Sequence, residues 1–415
     1  MGTSSKAFPD RTVGGSSGKR AVLLAWMAAL GGAILVSACG GTDVQTTGTR
    51  IPSLSSKPAS FDDVEIDQAT HRLYAADRTD RGVDVFDVSR ATARYVKTIA
   101  LPADPNGLAL APDLGRLYAG TTAGTVEVIE TATGTVTAEV KTGASEVDLM
   151  DYAAAPQQLF AATGVDGTVL TIDANTNKIV STAKVGKPVE QPRYNPTDGL
   201  VYAAVPELDG LAQIDPKSGV IKKTLPLGGC IPKGLALKSS SHTAVVACRT
   251  MVMALDLRTG QTQTFYHVAD GDVVQYYPAV DRFFVTAASD KFPTIVGMFG
   301  GDPVAYLSSV SIWGGGNAAV YDQTHDLIYT TDPRQGTAGV TGFHIDGSRP
   351  VPLLQSLLMT VGPFVILAAL VAPLLYFLGR SADPIHRKVR VPKAPATVAL
   401  AVPAPATTDR PTLST

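Results

Sequence analysis

The chain of 415 residues is long enough for two average domains or for one large repeat domain. Its charge is almost balanced, with 35 Lys and Arg against 37 Asp and Glu. A nucleic-acid-binding face needs a basic excess, so this balance argues against a nucleic acid partner.

The N-terminal segment has the composition of a targeting or membrane segment. Residues 1–20 are rich in Ser and Gly and carry four basic residues against one acid, as in a cytoplasmic n-region. Residues 21–38 follow with no charge, a length at the boundary between a signal peptide and a membrane span. We therefore expect residues 21–39 to direct the rest of the chain out of the cytoplasm.

The end of this apolar run contains a cysteine in a characteristic setting. Val36-Ser-Ala-Cys39-Gly-Gly resembles a bacterial lipobox, in which a signal peptidase cleaves before the cysteine and a diacylglyceryl group is attached to its sulfur. The resemblance implies lipidation of Cys39. The alternative is an uncleaved membrane helix in which the cysteine is incidental.

Residues 40–57 form a polar tether, and within it Thr49–Leu54 has enough apolar character to be a β-strand.

From residue 58 to residue 347 the sequence repeats with a period of 40 to 45 residues. An apolar residue, usually aromatic, lies late in each Leu-Tyr-Ala-Ala-like run, and a second marker is an acid that closes the next strand. The first markers are Tyr74, Tyr118, Phe160, Tyr202, Val246, Phe284 and Tyr329, and the second are Asp87, Glu130, Asp173, Asp215 and Asp256. Strand repeats of this length are typical of a β-propeller, in which each repeat is one blade.

Seven markers predict an all-β fold, a seven-bladed β-propeller with four-stranded antiparallel blades. The inner strand of blade three is predicted at Glu146–Met150. Blade seven offers only three strands, so we expect the N-terminal strand Thr49–Leu54 to complete it and close the ring. Because stacked blades fold as one ring, the length of the chain does not require a second globular domain.

The clearest copy of the repeat reads Pro105-x-Gly107-Leu-Ala-Leu-Ala-Pro112-Asp, then Arg116-Leu-Tyr-Ala and Thr125-Val-x-Val-Ile-Glu130-Thr-Ala-Thr-Gly134. It resembles the YVTN-type β-propeller repeat of bacterial surface and periplasmic proteins. The resemblance covers roughly residues 57–346. Blade five departs from the pattern with Val246 in place of the aromatic, and blade six lacks the closing acid.

Acidic residues gather near the starts of the predicted inner strands of blades one, three, four and six. They are Asp62, Asp63, Glu65, Glu146, Asp148, Glu190, Asp270 and Asp272. Inner strands line the central channel, so these carboxylates could converge there on a divalent cation. The alternative is a set of solvated rim residues, since none has the Asp-x-Asp-x-Asp-Gly spacing of a calcium loop.

Cys230 and Cys248 belong to blade five. A hairpin that turns around Ser239–His242 would bring them almost opposite each other. In an oxidising compartment this permits a disulfide, and the alternative is a pair of buried free thiols.

The C-terminal region predicts a second membrane segment. Leu353–Leu378 provides 26 residues without charge, enough for a tilted transmembrane helix. A basic flank follows from Arg380 to Lys393, which should remain cytoplasmic. Residues 379–415 are therefore expected to form a basic and then Ala/Pro/Thr-rich disordered cytoplasmic tail, and the partner of the helix is the lipid bilayer.

These features favour a membrane-anchored, extracytoplasmic propeller that acts as a binding or protein-interaction platform, with a protein or small-molecule ligand at the propeller rim. The alternative is a lactonase-like hydrolase at the channel mouth, because some YVTN-like propellers resemble lactonases of sugar acids. Glu65, Asp148, Arg193 and His267 are the residue types that such a site uses, although their spacing does not select them. No Gly-x-Ser-x-Gly nucleophile motif and no phosphate-binding Walker lysine is present in the sequence.

Overall fold

The computed structural model describes residues 46–50, 59–288, 293–312, 316–333 and 338–344. Within them, the strands form seven four-stranded antiparallel sheets. The prediction of a seven-bladed β-propeller is therefore confirmed. Cys39, the segment 21–38, the predicted membrane helix 353–378 and the tail 379–415 lie outside the described residues.

In the first four blades the strands follow one another from the channel outwards. Blade one contains β2 (Phe61–Asp67), β3 (Arg72–Asp77), β4 (Gly82–Asp87) and β5 (Arg94–Ala100). Blade two contains β6 (Pro105–Ala111), β7 (Arg116–Thr121), β8 (Thr125–Glu130) and β9 (Thr135–Lys141). Blade three contains β10 (Met150–Ala153), β11 (Gln158–Ala162), β12 (Thr168–Asp173) and β13 (Lys178–Lys184). Blade four contains β14 (Pro192–Asn195), β15 (Leu200–Val205), β16 (Gly210–Asp215) and β17 (Val220–Pro226).

Blades five and six repeat this order, and blade seven takes its outer strand from the N-terminal segment. Blade five contains β18 (Pro232–Lys238), β19 (Thr243–Cys248), β20 (Val252–Asp256) and β21 (Thr262–Phe265). Blade six contains β22 (Val273–Tyr277), β23 (Arg282–Ala287), β24 (Thr294–Gly300) and β25 (Ala305–Ile312). Blade seven contains β26 (Ala319–Asp322), β27 (Leu327–Asp332), β28 (Gly339–Phe343) and β1 (Thr46–Arg50).

The ring is closed by pairing between the two ends of the propeller. β1 runs antiparallel to β28, with Thr46 opposite Phe343 and Arg50 opposite Gly339. The closing strand begins at Thr46, three residues before the predicted start at Thr49, and residues 51–54 lie outside the described part. Because β1 occupies the edge of β28, blade seven reaches the same four-stranded width as its neighbours.

The core of the ring lies between the blades, in seven apolar clusters at the boundaries between neighbouring blades. The cluster between blades one and seven also includes Leu149 of blade three and Val273 of blade six. Tyr74 of blade one, for example, packs with Leu108 and Leu117 of blade two. Tyr329 of blade seven lies in one cluster with Phe61 of blade one, so packing continues across the closure. The repeated aromatics are therefore packing residues between blades, as their period indicates.

Blade five corrects one assignment of the repeat. In the other blades the marker lies opposite the residue nine positions earlier, as in the pair Glu65 and Tyr74. In blade five the equivalent pair is Ala236 and Val245, so the marker is Val245 and not Val246. Successive strand residues point to opposite faces, so Val246 instead packs towards blade four, in the cluster of Tyr202.

The inner strand of blade three is shorter than predicted and begins at Met150 rather than Glu146. The residues just before it form hydrogen bonds with blade two. The Val147 N–H donates to the Thr121 carbonyl, and the Val147 carbonyl accepts from the Asn106 side chain. Asp148 and Leu149 still pair with Ala162 of β11, so this stretch connects blade two to blade three just before β10 begins.

Blade five is held by a disulfide. Cys230 and Cys248 are bonded, with a Cα–Cα distance of 4.8 Å, and both are fully buried. The bond ties the chain just before β18 to the end of β19, where Pro232 lies opposite Cys248.

The helices in the described part of the chain are short 3-10 turns at Pro112–Leu114, Pro206–Leu208 and Ser239–Ser241. None of the helices in these described ranges is long and apolar enough to span a membrane.

Candidate functional site in the central channel

The inner strands present two layers of side chains to the channel. The cavity layer consists of the residues opposite the repeat markers, namely Glu65, Ala109, Asp151, Arg193, Ala236, Gln275 and Val320. The mouth layer consists of the residues three positions earlier, namely Asp62, Asn106, Asp148, Glu190, Lys233, Asp272 and Asn317. All inner strands of a propeller run in the same direction, so the two layers lie at different depths.

The mouth layer is acidic. Asp62, Asp148, Glu190 and Asp272 come from blades one, three, four and six, and burial is the first cause that raises the pKa of each of them. For Asp148, repulsion from Asp62, Glu190, Glu146 and Asp272 adds to the effect of burial. Asp62, Glu146, Asp148, Glu190 and Asp272 are together called the acidic mouth below. Its carboxylates are close enough to disfavour one another's charge.

Two basic residues offset part of this charge. Arg78 forms a 3.0 Å ion pair with Asp62 and also donates to Asn106, at 3.0 and 2.7 Å. Lys233 lies 3.5 Å from Asp270, a residue that is largely exposed. The predicted site residue Asp270 therefore belongs to a surface ion pair at the rim.

The structure gives no support to a compact metal centre in the described part. Among those residues, no three His, Cys, Asp or Glu side chains are close enough together to hold a metal ion. The five acids of the mouth are spread over four blades around the ring, and their oxygens do not come together as the ligands of a bare cation would.

Polar side chains in the two layers and between them connect neighbouring blades. Each one bonds to the backbone of another blade: Asp63 accepts from Leu108 N–H at 2.9 Å, Asn106 donates to the Val147 carbonyl at 3.0 Å, Asp151 accepts from Tyr194 N–H at 2.7 Å, and Gln191 accepts from Leu235 N–H at 2.7 Å and Val274 N–H at 3.1 Å. These bonds explain why the polar residues are tolerated inside the ring.

Two glycines permit the close approach of inner strands beside these bonds. A Cβ on Gly107 would collide with the Asp148 carbonyl and approach Leu149 Cα to 2.7 Å. A Cβ on Gly234 would collide with the Asp272 carbonyl and approach a Val274 side-chain carbon to 2.9 Å. Only glycine fits at these positions of blades two and five. The absence of a side chain lets the backbone at Asp148 and at Asp272 of the next blades lie directly against these glycines.

On the side where the inner strands end, the channel widens into a cavity of about 440 Å³, called the turn-side cavity here. Its polar wall is formed by Glu65, Asp151, Arg193 and Gln275, from four different blades. The remaining lining is aromatic or small: Tyr152, Ala153, Ala154, Ala155, Pro156, Tyr194, Pro196, Ala236, Leu237, Ser239, Tyr276 and Pro278. The lining therefore combines convergent polar groups with aromatic rings, as small-molecule sites do, and the volume lies in the usual range of such sites.

Arg193 connects three blades across this cavity. Its guanidinium donates to the carbonyls of Met150 at 3.2 Å, Pro192 at 3.1 Å and Val274 at 3.1 Å. Its Nη1 also lies 3.8 Å from Oδ1 of Asp151, and only 13% of its side chain is exposed. The Arg193 charge is thus already compensated within the cavity wall, by Asp151 and by three carbonyl dipoles.

Glu65 differs from the other acids of the cavity. Burial raises its pKa to about 8, with a further increase from Asp63, while Arg193 and a hydrogen bond from Gln275 lower it. Burial also raises the pKa of Asp63 to about 7, although hydrogen bonds from two backbone N–H groups lower it. Glu65 carries a proton near neutral pH and can act there as a donor or, after losing the proton, as a charged acceptor.

Three tyrosines at equivalent positions of blades three, four and six border the cavity. Tyr194 stacks on Phe160, the marker of blade three, with ring centroids 5.3 Å apart, and Tyr152 stacks on Tyr118, the marker of blade two, at 6.3 Å. Tyr276 contacts Phe283 of its own blade, with ring centroids 4.4 Å apart. The hydroxyls of Tyr152 and Tyr276 each donate to an aspartate outside the cavity, at 3.0 Å. Their rings are therefore held in place as part of the cavity wall.

The residues named for a hydrolase are only partly brought together. Glu65 and Arg193 both line the turn-side cavity, whereas Asp148 belongs to the acidic mouth. His267 stacks on Tyr306 with ring centroids 3.8 Å apart, and burial lowers its pKa. It is not a residue of the cavity lining.

Sequence reasoning did not single out Arg78, Asn106, Asp151, Gln191 or Gln275. A usable signal exists for two of them, because Asp151 and Gln275 lie nine residues before the markers Phe160 and Phe284. Aligning the blades on the marker would have shown a polar residue at this position in four of seven blades. Arg78 and Asn106 act through contacts between blades, which the spacing does not reveal.

Comparison with known proteins adds no relative. No protein-family model matches the chain, and no curated protein is significantly similar to it. The YVTN-type resemblance remains a prediction from the repeat motif, and the fold rests on the structure.

Proposed function

We propose that the protein is a membrane-anchored, extracytoplasmic β-propeller that acts as a binding platform, and that its ligand occupies the turn-side cavity. One observation carries the proposal: four polar side chains from blades one, three, four and six converge in a cavity of about 440 Å³ with aromatic walls. Blades two, five and seven place Ala109, Ala236 and Val320 at the same position, so a blade of this ring can form with an apolar residue there.

The proposed compartment is supported by independent features of the chain. A disulfide between Cys230 and Cys248 is expected to persist outside the reducing cytoplasm. The uncharged segments 21–38 and 353–378 and the basic flank after them predict the same topology. The ring would then be held at the extracytoplasmic face of the cell membrane by a lipidated Cys39 or a first helix, together with the last helix.

Binding in the cavity can be tested with small probes that differ in charge. The full chain is purified in detergent and titrated with three molecules of similar length, putrescine, butanediol and succinate, which carry positive, zero and negative charge. Ala155 is an exposed turn residue of the cavity lining, and the variant Ala155→Trp should cover the opening. Ala123→Trp, at an exposed turn of blade two, is the matched control.

We expect at least one probe to bind the wild type and the control, as measured by calorimetry and by the rise in Tm, and not to bind Ala155→Trp. If Ala155→Trp binds every probe as well as the control does, the ligand site is not the turn-side cavity.

A second candidate function, a lactonase-like hydrolase, is favoured by a specific pair of residues. Glu65, with a pKa of about 8, lies in one cavity with Arg193, and a carboxyl group titrating near neutral pH suits general acid–base catalysis. The test is release of acid from a panel of sugar lactones by wild type and Glu65→Gln. A rate above background that Glu65→Gln abolishes would favour the enzyme, and equal rates for both would exclude Glu65 as its base.

The anchoring part of the proposal has its own test. Cys39→Ser should abolish a lipid-dependent mobility shift, and protease added to intact cells should cleave the ring. An unchanged mobility, with residues 1–20 still present in the mature protein, would instead indicate a retained first helix. A ring that is protected in intact cells and cleaved only after lysis would overturn the extracytoplasmic placement.

A further inference from the structure

We infer that the turn-side cavity binds an aliphatic ammonium group, with the Glu65 carboxylate as its counter-ion. The inference rests on the proposed function, because it names the chemistry of the ligand for the same cavity.

The first step is the local balance of charge. The Arg193 guanidinium is matched by Asp151 at 3.8 Å and by three backbone carbonyls. Asp151 is further satisfied by the Tyr194 N–H, and Asp63 accepts two backbone N–H groups. Glu65, the other acid of the cavity lining, forms no ion pair with any described residue, although the field of Arg193 and a hydrogen bond from Gln275 lower its pKa. It is therefore the cavity carboxyl group that has no ion-pair partner in the described part of the chain.

The second step is the field of the whole channel. The acidic mouth adds Asp62, Glu146, Asp148, Glu190 and Asp272 along the same axis, offset by Arg78 and Lys233. Carboxylates that line a narrow channel focus a negative potential within it, which attracts cations and repels anions. A negatively charged ligand would enter this channel against that potential.

The third step concerns the size and shape of the cation. No three acidic or His/Cys side chains in the described part are close enough to bind a bare metal ion, whereas the cavity of about 440 Å³ accommodates an organic molecule. The rings of Tyr152, Tyr194 and Tyr276 form part of its wall. Aromatic faces attract alkylammonium groups through cation–π interactions and pack against their methylene chains.

An ammonium group offers three N–H donors, and the cavity offers acceptors for them. The Glu65 carboxylate supplies a charged acceptor, and Gln275 in the same wall carries a side-chain carbonyl oxygen. The same chemistry occurs in a free diamine and in the lysine side chain of a protein, so both sources are included in the test.

The test compares putrescine with butanediol and succinate on the full chain, by calorimetry at pH 8.5 or above, an alkaline condition chosen from the pKa of about 8 for Glu65. We expect putrescine to bind and the other two probes to show no measurable binding. Glu65→Gln keeps the shape of the side chain and removes its charge, and should weaken putrescine binding by about tenfold or more. Glu207→Gln, which removes one exposed carboxylate elsewhere, should bind as the wild type does.

A second measurement uses only the wild type, so it does not depend on the folding of a variant. Putrescine needs the ionised form of Glu65, so its affinity should fall about tenfold for each pH unit below about 8. The titratable and charged groups that face Glu65 are Asp63, Asp151, Arg193 and Tyr277. Of these, Asp63 also titrates near pH 7 and would add to the slope.

The source of the ammonium group is distinguished by a capped glycine peptide with one central lysine, compared with the same peptide carrying norleucine. Binding of the lysine peptide and not of the norleucine peptide would indicate a protein partner. Binding of putrescine alone would indicate a free amine.

The outcomes separate this inference from the proposed function. If succinate or butanediol binds as tightly as putrescine and Ala155→Trp blocks that binding, the cavity is a ligand site and the ammonium assignment is wrong. Equal putrescine affinity for wild type and Glu65→Gln would also overturn it. If Ala155→Trp blocks no probe, the proposed site fails together with the inference.

Discussion

The disulfide of blade five gives the sharpest stability prediction. The perturbation is the double substitution Cys230→Ala with Cys248→Ala, which removes a bond that closes a loop of sequence separation 18. Constraining a loop of this length in the unfolded chain stabilises the folded state by about 3 kcal/mol. At roughly 2–4 °C per kcal/mol for a domain of this size class, Tm should fall by roughly 6–12 °C. Loss of the two buried sulfurs from the apolar cluster between blades four and five adds to this cost.

The assay is equilibrium unfolding in urea, followed by far-ultraviolet circular dichroism, with and without dithiothreitol. Reductant present during unfolding should lower the free energy of unfolding of the wild type towards that of the double variant, and it should leave the variant unchanged. The reasoning is wrong if the variant unfolds at the same urea concentration as the oxidised wild type. It is also wrong if dithiothreitol shifts both proteins equally.

Three further predictions concern other parts of the ring. Asp84 is fully buried, and burial raises its pKa to about 8, so the folded state holds a proton that the unfolded state loses. Its contribution to the free energy of unfolding should therefore fall by about 1.4 kcal/mol per pH unit between roughly pH 4 and 8. Urea titrations at pH 5 and pH 8 should show a smaller loss of stability with pH for Asp84→Asn than for the wild type, and an equal loss would contradict the prediction. A chain that begins at residue 51 lacks β1 and should show a lower Tm and faster amide exchange in β28, whereas an unchanged Tm would mean that the closing strand adds no stability. Gly234→Ala should lower the free energy of unfolding by about 1–3 kcal/mol, because its Cβ would meet the backbone of blade six, and a smaller loss would mean that the two inner strands can separate easily.

The propeller could be predicted because its signal is local and repeated. Each blade places a large apolar residue such as Tyr74 or Tyr118 on its second strand, and the same residue fills the space between blades. One physical requirement, met seven times, becomes a period that is visible in the sequence. The need for a closing strand could be predicted because the sequence of blade seven offers only three strands. The start of that strand, at Thr46 rather than Thr49, is set by its pairing with β28, and composition does not show this pairing.

The cavity could not be predicted in the same way, because its residues come from distant parts of the chain. Glu65 and Gln275 are 210 positions apart in the sequence and meet only when the ring closes. Their convergence also depends on the register of every inner strand. In blade five a shift of one residue, from Val246 to Val245, decides whether Ala236 or its neighbour faces the channel.

The four polar residues of the cavity layer differ in how far the fold itself explains them. Arg193 and Asp151 bond to the backbone of other blades, so part of their role is to hold the ring together. Glu65 and Gln275 bond to each other, at a position where three other blades carry Ala or Val. Burying a polar pair costs free energy, and neither side chain forms a hydrogen bond to the backbone of the described residues. Substitutions at Glu65 and Gln275 therefore separate ligand binding from stability better than substitutions at Arg193 or Asp151.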